Sequence, residues 1–382
     1  MRSSIHRFAP LFIVCALTAP LVAGQAKQPP TPAVKPAALA KLAEPWPTPE
    51  EMEARRTAAE RRPLFAGTDS FPLTLTADFK TINKDRRVEG KVPYPGILTL
   101  EGEGGTKTLH VKLQTRGHFR LRQTSCSFVP LRVEFTKEEV AGTIFDGQKT
   151  LKLITHCQSD KEYEQYTMRE YLTYRALNLL TPRSFRARLS KVSYVQATDS
   201  KPVISRLGLF LEDDDDVARR MDGRIMDLPR AKFKDVDADL MTLTSAFEYM
   251  IGNTDFSIYA LHNYVLVRLQ DRKTYAVPYD FDMSGLVNAS YAIPDKAFGL
   301  KTVKDRYYRG PCRPLDEVEP ILAQFRTQKA NILALFESFP DLNREQRRDA
   351  KDYLEDFFRD LDRPNDVKRI FVSGRCSTQE TM

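Results

Sequence analysis

The stretch from Phe247 to Leu286, FEYMIGNTDFSIYALHNYVLVRLQDRKTYAVPYDFDMSGL, constrains the fold more than any other part of the chain. Its apolar start (Phe247, Tyr249, Met250, Ile251) predicts a helix that Gly252-Asn253 stops. A polar loop follows, carrying Asp255, His262 and Asn263. Tyr264 and Leu266, then Tyr275 and Val277, flank the turn-like Gln270-Asp271-Arg272-Lys273 and predict two short strands in a hairpin. The second strand runs into Asp280-Phe281-Asp282, with Ser284-Gly285 behind it. A helix, a polar loop, a hairpin and an acidic tripeptide in this order gather hard oxygen ligands in one place.

The rest of the chain divides by period. From Phe71 the segments FPLTLTADF, GILTLEG, KTLHVKLQTRG and VPLRVEF alternate apolar and polar residues, and Thr150–Ile154 adds one more strand. Tyr163–Leu180 reads as a helix that ends before Pro182. Leu189–Val195 and Val203–Leu211 return to strand character. Beyond Asp213–Asp216, read as a solvated acidic turn, the chain is mostly helical, with final helices at Leu315–Glu337 and Arg344–Leu361. The fold class expected is α+β, a two-lobed protein-kinase-like fold over residues 66–376. Its β-rich N-lobe with one helix would cover about 66–211 and its mainly helical C-lobe about 212–376, with a cleft near 211–216.

The N-terminus predicts export. Arg2 and Arg7 precede an apolar run, Leu11 to Val22, and small residues follow, the layout of a signal peptide over residues 1–24. The run is short for a membrane span, so no transmembrane segment is expected after cleavage. Residues 25–65 are rich in Pro, Ala and charge and read as a tether, with Thr48-Pro49-Glu50-Glu51 able to cap a short helix running to Arg62. Beyond Cys15 the cysteines are Cys126, Cys157, Cys312 and Cys376, an even set without zinc spacing, which predicts two disulfides in an exported chain. Cys126 and Cys157 fall in neighbouring β-like segments and are paired here, which leaves Cys312 with Cys376. The net charge of +7 is spread without a dense Lys/Arg tract, so no nucleic-acid partner is expected.

Each candidate site residue has a chemical reason. Asp255 would orient or take the proton of an acceptor hydroxyl, and Asn263 would ligate Mg²⁺ through its amide oxygen. Asp280 and Asp282, at i and i+2 on a continuing strand, point to one side and can face one cation. Lys152, on a strand ahead of the Tyr163–Leu180 helix, would neutralise phosphates, held by Glu164 or Glu170 on that helix. Arg116 or Arg120, between strands, would contact phosphate, and Glu212 would meet an adenine or ribose. His262 reads as a structural hydrogen-bonding residue. There is no GxSxG, HExxH or Walker pattern.

These residues resemble those of the spore coat protein H (CotH) kinases. Arg116-Gly117 followed by Pro130-Leu131-Arg132-Val133-Glu134-Phe135 is similar to that family's RG…P-x-R-x-x-F stretch. FDGQKTLKLI, GLFLED, NTDFSIYALHNYVLV and PYDFD continue the likeness, over roughly residues 70–310. His118-Phe119-Arg120 stands where the family has a Ser-rich continuation. The resemblance implies transfer of the ATP γ-phosphoryl group to Ser/Thr of secreted or envelope proteins, dependent on Mg²⁺ or Mn²⁺. It makes Asp255 the catalytic residue, Asn263 and Asp280 metal ligands, and sets Asp282 where a kinase DFG motif has glycine. Two other readings stand beside it: a non-catalytic binding or coat-type protein on the same fold, and a secreted glycoside hydrolase using Asp255 and Asp280 as paired carboxylates. The only tryptophan, Trp46, falls in the tether rather than in a sugar-binding groove.

Overall fold

The computed structural model describes residues 36–102, 105–374, 376 and 377, so the expected signal peptide lies outside the described residues. The first two elements are helices, α1 (Pro36–Ala43) and α2 (Pro49–Glu60). Thr48 and Glu51 form the expected capping box of α2, each side chain taking the other's backbone N–H. The strand that follows, β1 (Phe71–Ala77), leads through a short helix α3 (Phe79–Ile82) into β2 (Tyr94–Gly102), β3 (Gly105–Thr115) and β4 (Leu131–Phe135). After α4 (Lys137–Val140) come β5 (Thr150–Ile154), the helix α5 (Tyr163–Leu180), and the hairpin β6 (Ala187–Gln196) and β7 (Pro202–Leu211).

These seven strands close into a barrel in the order β1-β2-β3-β4-β5-β7-β6. All neighbours are antiparallel except the seam, where β1 runs parallel to β6 from Phe71↔Ser190 to Ala77↔Gln196. Alternate residues fill the interior: Leu73, Leu75, Leu98, Leu113, Val133, Leu151, Leu153 and Phe210 are all buried. Phe145 packs edge-on against both Phe71 and Phe210.

The chain then forms α6 (Asp214–Arg220), β8 (Gly223–Ile225), α7 (Ala238–Ile251), β9 (Tyr264–Leu269) and β10 (Thr274–Pro278). The hairpin β9–β10 forms with the expected turn, and β8 adds a third strand on its β9 side. Three α-helices follow, α8 (Leu315–Glu337), α9 (Arg344–Leu361) and α10 (Pro364–Val367), and a π-helical turn over Lys368–Ser373 extends the last of them. No helix among the described residues is long and apolar enough to cross a membrane.

The two-lobed kinase-like fold is therefore not what the chain adopts. The N-terminal sheet is a closed mixed barrel, because the second edge of β1 is sealed by β6. Alternation identifies strands but carries no information on which distant edge a strand will meet. Nor does the core break at residue 211. Leu177 of α5, Leu189 of β6 and Leu209 and Leu211 of β7 share one apolar cluster with Phe247 of α7, Phe281, Phe325 of α8 and Phe357 of α9.

Two other stretches differ from expectation. Residues 213–216 are the N-terminal turn of α6, capped by Asp213, which accepts from the Asp215 N–H at 3.0 Å. Each further carboxylate has a cation: Asp214 takes Lys152, Asp215 takes Lys41, and Asp216 takes Arg62 and Arg219. Residues 36–65 are not a free tether, because those partners fasten them to the body. Arg224 lies 3.9 Å over the Trp46 ring and donates to the carbonyls of Lys41, Glu44 and Pro45, while Arg186 donates to those of Ala59 and Glu60.

Both disulfides form as paired above, Cys126–Cys157 and Cys312–Cys376.

Candidate functional site

Helix α7 ends because Gly252 takes a left-handed conformation, φ +66°. The loop beyond is held from below. Asn253 donates to the Glu248 carboxylate at 3.0 Å and accepts the Asp255 N–H at 3.0 Å. Buried Arg309 donates to the carbonyls on both sides of Asp255, those of Thr254 at 2.5 Å and Phe256 at 2.6 Å. The loop that carries Asp255 is thus fixed through its backbone, which leaves the side chain half-exposed.

The Asp255 carboxylate has two close partners. His262 Nε2 lies 3.0 Å from Oδ1, and the Asn263 amide donates to Oδ2 at 3.2 Å and to the Asp255 carbonyl at 2.6 Å. Hydrogen bonding to Asp255 holds the His262 pKa above its ordinary value, against the opposing effect of burial. With its Nδ2 so engaged, Asn263 has Oδ1 left to serve as a ligand.

The Asn263 carbonyl accepts the Tyr279 N–H at 3.0 Å, which ties the end of β10 to this loop. Asp280 follows, its N–H donated to the Tyr174 hydroxyl of α5 at 2.8 Å. Asn263 (φ +56°) and Asp280 (φ +67°) are both left-handed, a conformation that Asn and Asp tolerate better than other non-glycine residues. Such strain tends to collect where function requires a fixed geometry.

Behind Asp280 the charges become buried. Asp282 accepts from the Tyr291 hydroxyl at 3.1 Å and is pushed up to about 7 by burial and by Asp280, with Arg120 opposing. Glu170 of α5 is pushed well above the carboxylate range by burial and then by Asp282 and Asp280. Its Oε1 has no hydrogen-bond partner among the described residues. Arg120, buried beside these carboxylates, spends one donor on the Thr155 carbonyl at 2.5 Å. Three carboxylates therefore share one buried arginine, an environment that favours a further positive charge.

The fold thus brings Asp255, Asn263, Asp280 and Asp282 together, and adds Glu170, Arg120, Tyr174 and Tyr291. Lys152 stands at the edge of this group, its ammonium 4.4 Å from the Tyr279 ring centre. Its carboxylate partner is Asp214, at 2.5 Å, and neither helix glutamate: Glu164 accepts the Leu207 N–H and Glu170 faces the acidic cluster. The Arg116 side chain lies within electrostatic reach of Glu170, Tyr174 and Tyr279. Glu212 is placed elsewhere. It is fully buried, and Arg186 and Arg220 each grip it with more than one hydrogen bond while the Arg186 N–H adds another. That engagement makes it a clamp between β6, β7 and α6. A cavity of about 420 Å³ lies between residues 41–55 and α6–β8, away from the acidic group.

The oxygen donors suit a hard divalent cation, and one of them, Glu170 Oε1, is buried without a hydrogen-bond partner among the described residues. Among the described residues, however, no three His, Cys, Asp or Glu side chains are gathered closely enough to hold a metal as they stand. Sequence reasoning reached the Asp255, Asn263 and Asp280 positions because polar residues interrupt apolar runs there. It had no signal for Arg309 or Tyr291, which arrive from loops without pattern.

The protein that these elements define is a closed seven-stranded mixed barrel carrying a helical layer and a buried acidic site beside a basic barrel edge. The chain matches no model of a known protein family and no curated protein.

Proposed function

We propose that this protein is an exported phosphotransferase that moves the γ-phosphoryl group of ATP to Ser or Thr hydroxyls of secreted or envelope proteins. The observation that carries the reading is the juxtaposition of undercompensated carboxylates (Glu170, Asp280, Asp282) with the half-exposed Asp255 on one side and the Lys152 and Arg116 cations on the other. Two disulfides accord with an oxidising compartment outside the cytoplasm. The CotH-like pattern of the sequence points to the same chemistry.

In this reading Asp255, oriented by His262 and Asn263, accepts the proton of the acceptor hydroxyl. Asp280, Asp282 and Asn263 would hold Mg²⁺ or Mn²⁺, with Glu170 behind them, and the bound cation would neutralise phosphate charge. Lys152 and Arg116 would hold the phosphate oxygens. Tyr174 fixes Asp280 through its amide, and Arg309 fixes the Asp255 loop from beneath, so most of the contribution is positioning and charge.

Thermal unfolding with ATP and Mg²⁺ or Mn²⁺ tests the site. Nucleotide at a hundred times its dissociation constant should stabilise the native state by about 2.7 kcal/mol. The stabilisation should require the cation and vanish in Asp280→Ala. A metal-dependent shift without phosphoryl transfer to any protein acceptor would favour a non-catalytic binding protein, and no shift at millimolar nucleotide would sink the reading.

A further inference from the structure

The outer face of the barrel carries a row of cations that extends beyond the Lys152 and Arg116 of the acidic site. In the sheet register Gln114 of β3 faces Arg132 of β4, and Arg132 faces Lys152 of β5, so the three side chains share one face. Arg116 continues that face past the end of β3, its N–H bonded to the Pro130 carbonyl. Lys91 completes the group, its ammonium 3.5 Å from the Gly117 carbonyl and its own carbonyl accepting from Gln114. Burial holds the Lys91 pKa below its usual value, and the charges of Arg116 and Arg132 lower it further.

Nearby carboxylates neutralise Lys152 but not the other three cations of this row. Asp214 is taken by Lys152, and Asp85, the acid closest in effect to Lys91, is taken by both arms of the Arg87 guanidinium. Among the described residues no ion pair joins Arg116, Arg132 or Lys91 to an acid. Across β4–β5 the residue directly opposite Arg132 is a second cation, Lys152, rather than an acid. Next along the same face Lys112 faces Glu134 and pairs with it at 3.4 Å, so the sheet neutralises its cations where nothing else is required of them. At the Arg116 end, a Cβ added to Gly117 (φ +85°) would meet nothing within 4 Å, so the space there is open.

We infer that Lys91, Arg116, Arg132 and Lys152 form a binding track for a phosphate chain, and that the protein recognises its ligand by that chain rather than by a base. Guanidinium forks suit phosphate oxygens, and several uncompensated cations in a row suit a ligand with several adjoining anionic groups. Glu212, the residue expected to meet the base, is consumed by its two arginines. The chain can belong to a nucleoside triphosphate or to an inorganic polyphosphate. This track deepens the phosphotransfer reading and rests on it for its purpose, but its test does not depend on turnover.

The test is calorimetric titration of the whole protein with inorganic tripolyphosphate, without metal, followed by competition with ATP and with adenosine. Tripolyphosphate should bind, ATP should displace it, and adenosine should not. Arg132→Gln and Lys91→Gln should each weaken binding about tenfold or more, as expected for loss of a charge-assisted contact. Lys112→Gln should leave affinity unchanged. Because Arg132 is exposed and faces a second cation rather than an acid, the ligand-free melting temperature of Arg132→Gln should hold or rise, which separates lost binding from lost folding. Equal affinity in all three variants, or an equal loss in all three, would overturn the track. ATP binding a hundredfold tighter than tripolyphosphate would overturn recognition through the chain and assign the source to the nucleotide. Tight tripolyphosphate binding without transfer to any hydroxyl would instead defeat the phosphotransfer reading and leave the track standing.

Discussion

Glu248 shows how much of the site's behaviour is set by single buried groups. It lies on α7 beneath the Asp255 loop and is pushed up to about 8 by burial, with Asn253 and Arg309 opposing and Asp255 adding to the rise. Between its ordinary value of 4.5 and its raised folded value, this carboxyl holds a proton that the unfolded chain has released. Its stabilising contribution is full below that lower value and is lost as pH rises through about 8. One pKa unit corresponds to about 1.4 kcal/mol, so the loss is on the order of a few kcal/mol. Denaturant unfolding should therefore show stability falling between pH 5 and 8, and Glu248→Gln should flatten that slope while Asn253 keeps a side-chain acceptor. An unchanged slope would mean that Glu248 is ionised in the folded protein. The backbone positions of Asp255, Asn263 and Asp280 were legible because each interrupts an apolar run. Their partners were not, since Arg309 and Tyr174 come from segments far away in sequence, and spacing says nothing about such encounters. The Lys152 partner was misread for the same reason: α5 offers two glutamates, but the register of β5 against β7 brings Lys152 opposite Leu211, close to the start of α6 and Asp214.

Among the elements, those specified by local chemistry were readable and those specified by docking were not. Helices α8 and α9, α5, and the β9–β10 hairpin form where period and turn residues place them. Helix α1 and the helical character of 213–216 escaped, because a Pro/Ala-rich segment and four successive aspartates look unstructured until their partners are supplied. Those partners are one another: Lys41 and Arg62 meet Asp215 and Asp216. Arg56 of α2 also pairs with Asp222 just beyond α6, so α2 docks on α6, and the strength of its start can be measured. Thr48→Ala removes one half of a complete capping box and should lower stability by about 1 kcal/mol. Limited proteolysis should then cut earlier within residues 49–60 than in the wild type. Protection equal to the wild type would show that docking on α6 holds α2 without its cap.

For the molecule as a whole, the disulfides act as long-range fasteners. Cys312–Cys376 spans a separation of 64 residues that includes α8, α9 and α10, and Cys126–Cys157 spans 31. In the chain-entropy view, closing loops of these sizes is worth about 4 kcal/mol each at most. Replacing both Cys312 and Cys376 by Ser should lower the melting temperature, with the C-terminal helices losing protection from hydrogen exchange before the barrel does. Simultaneous loss everywhere would fit the single apolar cluster that runs from the barrel hairpin into α9.

The parallel seam has a consequence in time as well as in space. A first strand that is completed by the sixth cannot be finished while the chain is still short: Ala77 waits for Gln196. Until then β1 carries an unpaired edge, the kind of surface on which chains join one another instead of themselves. A fragment that stops before Ala187 would keep that edge permanently, and its fate would be association rather than a smaller, working protein.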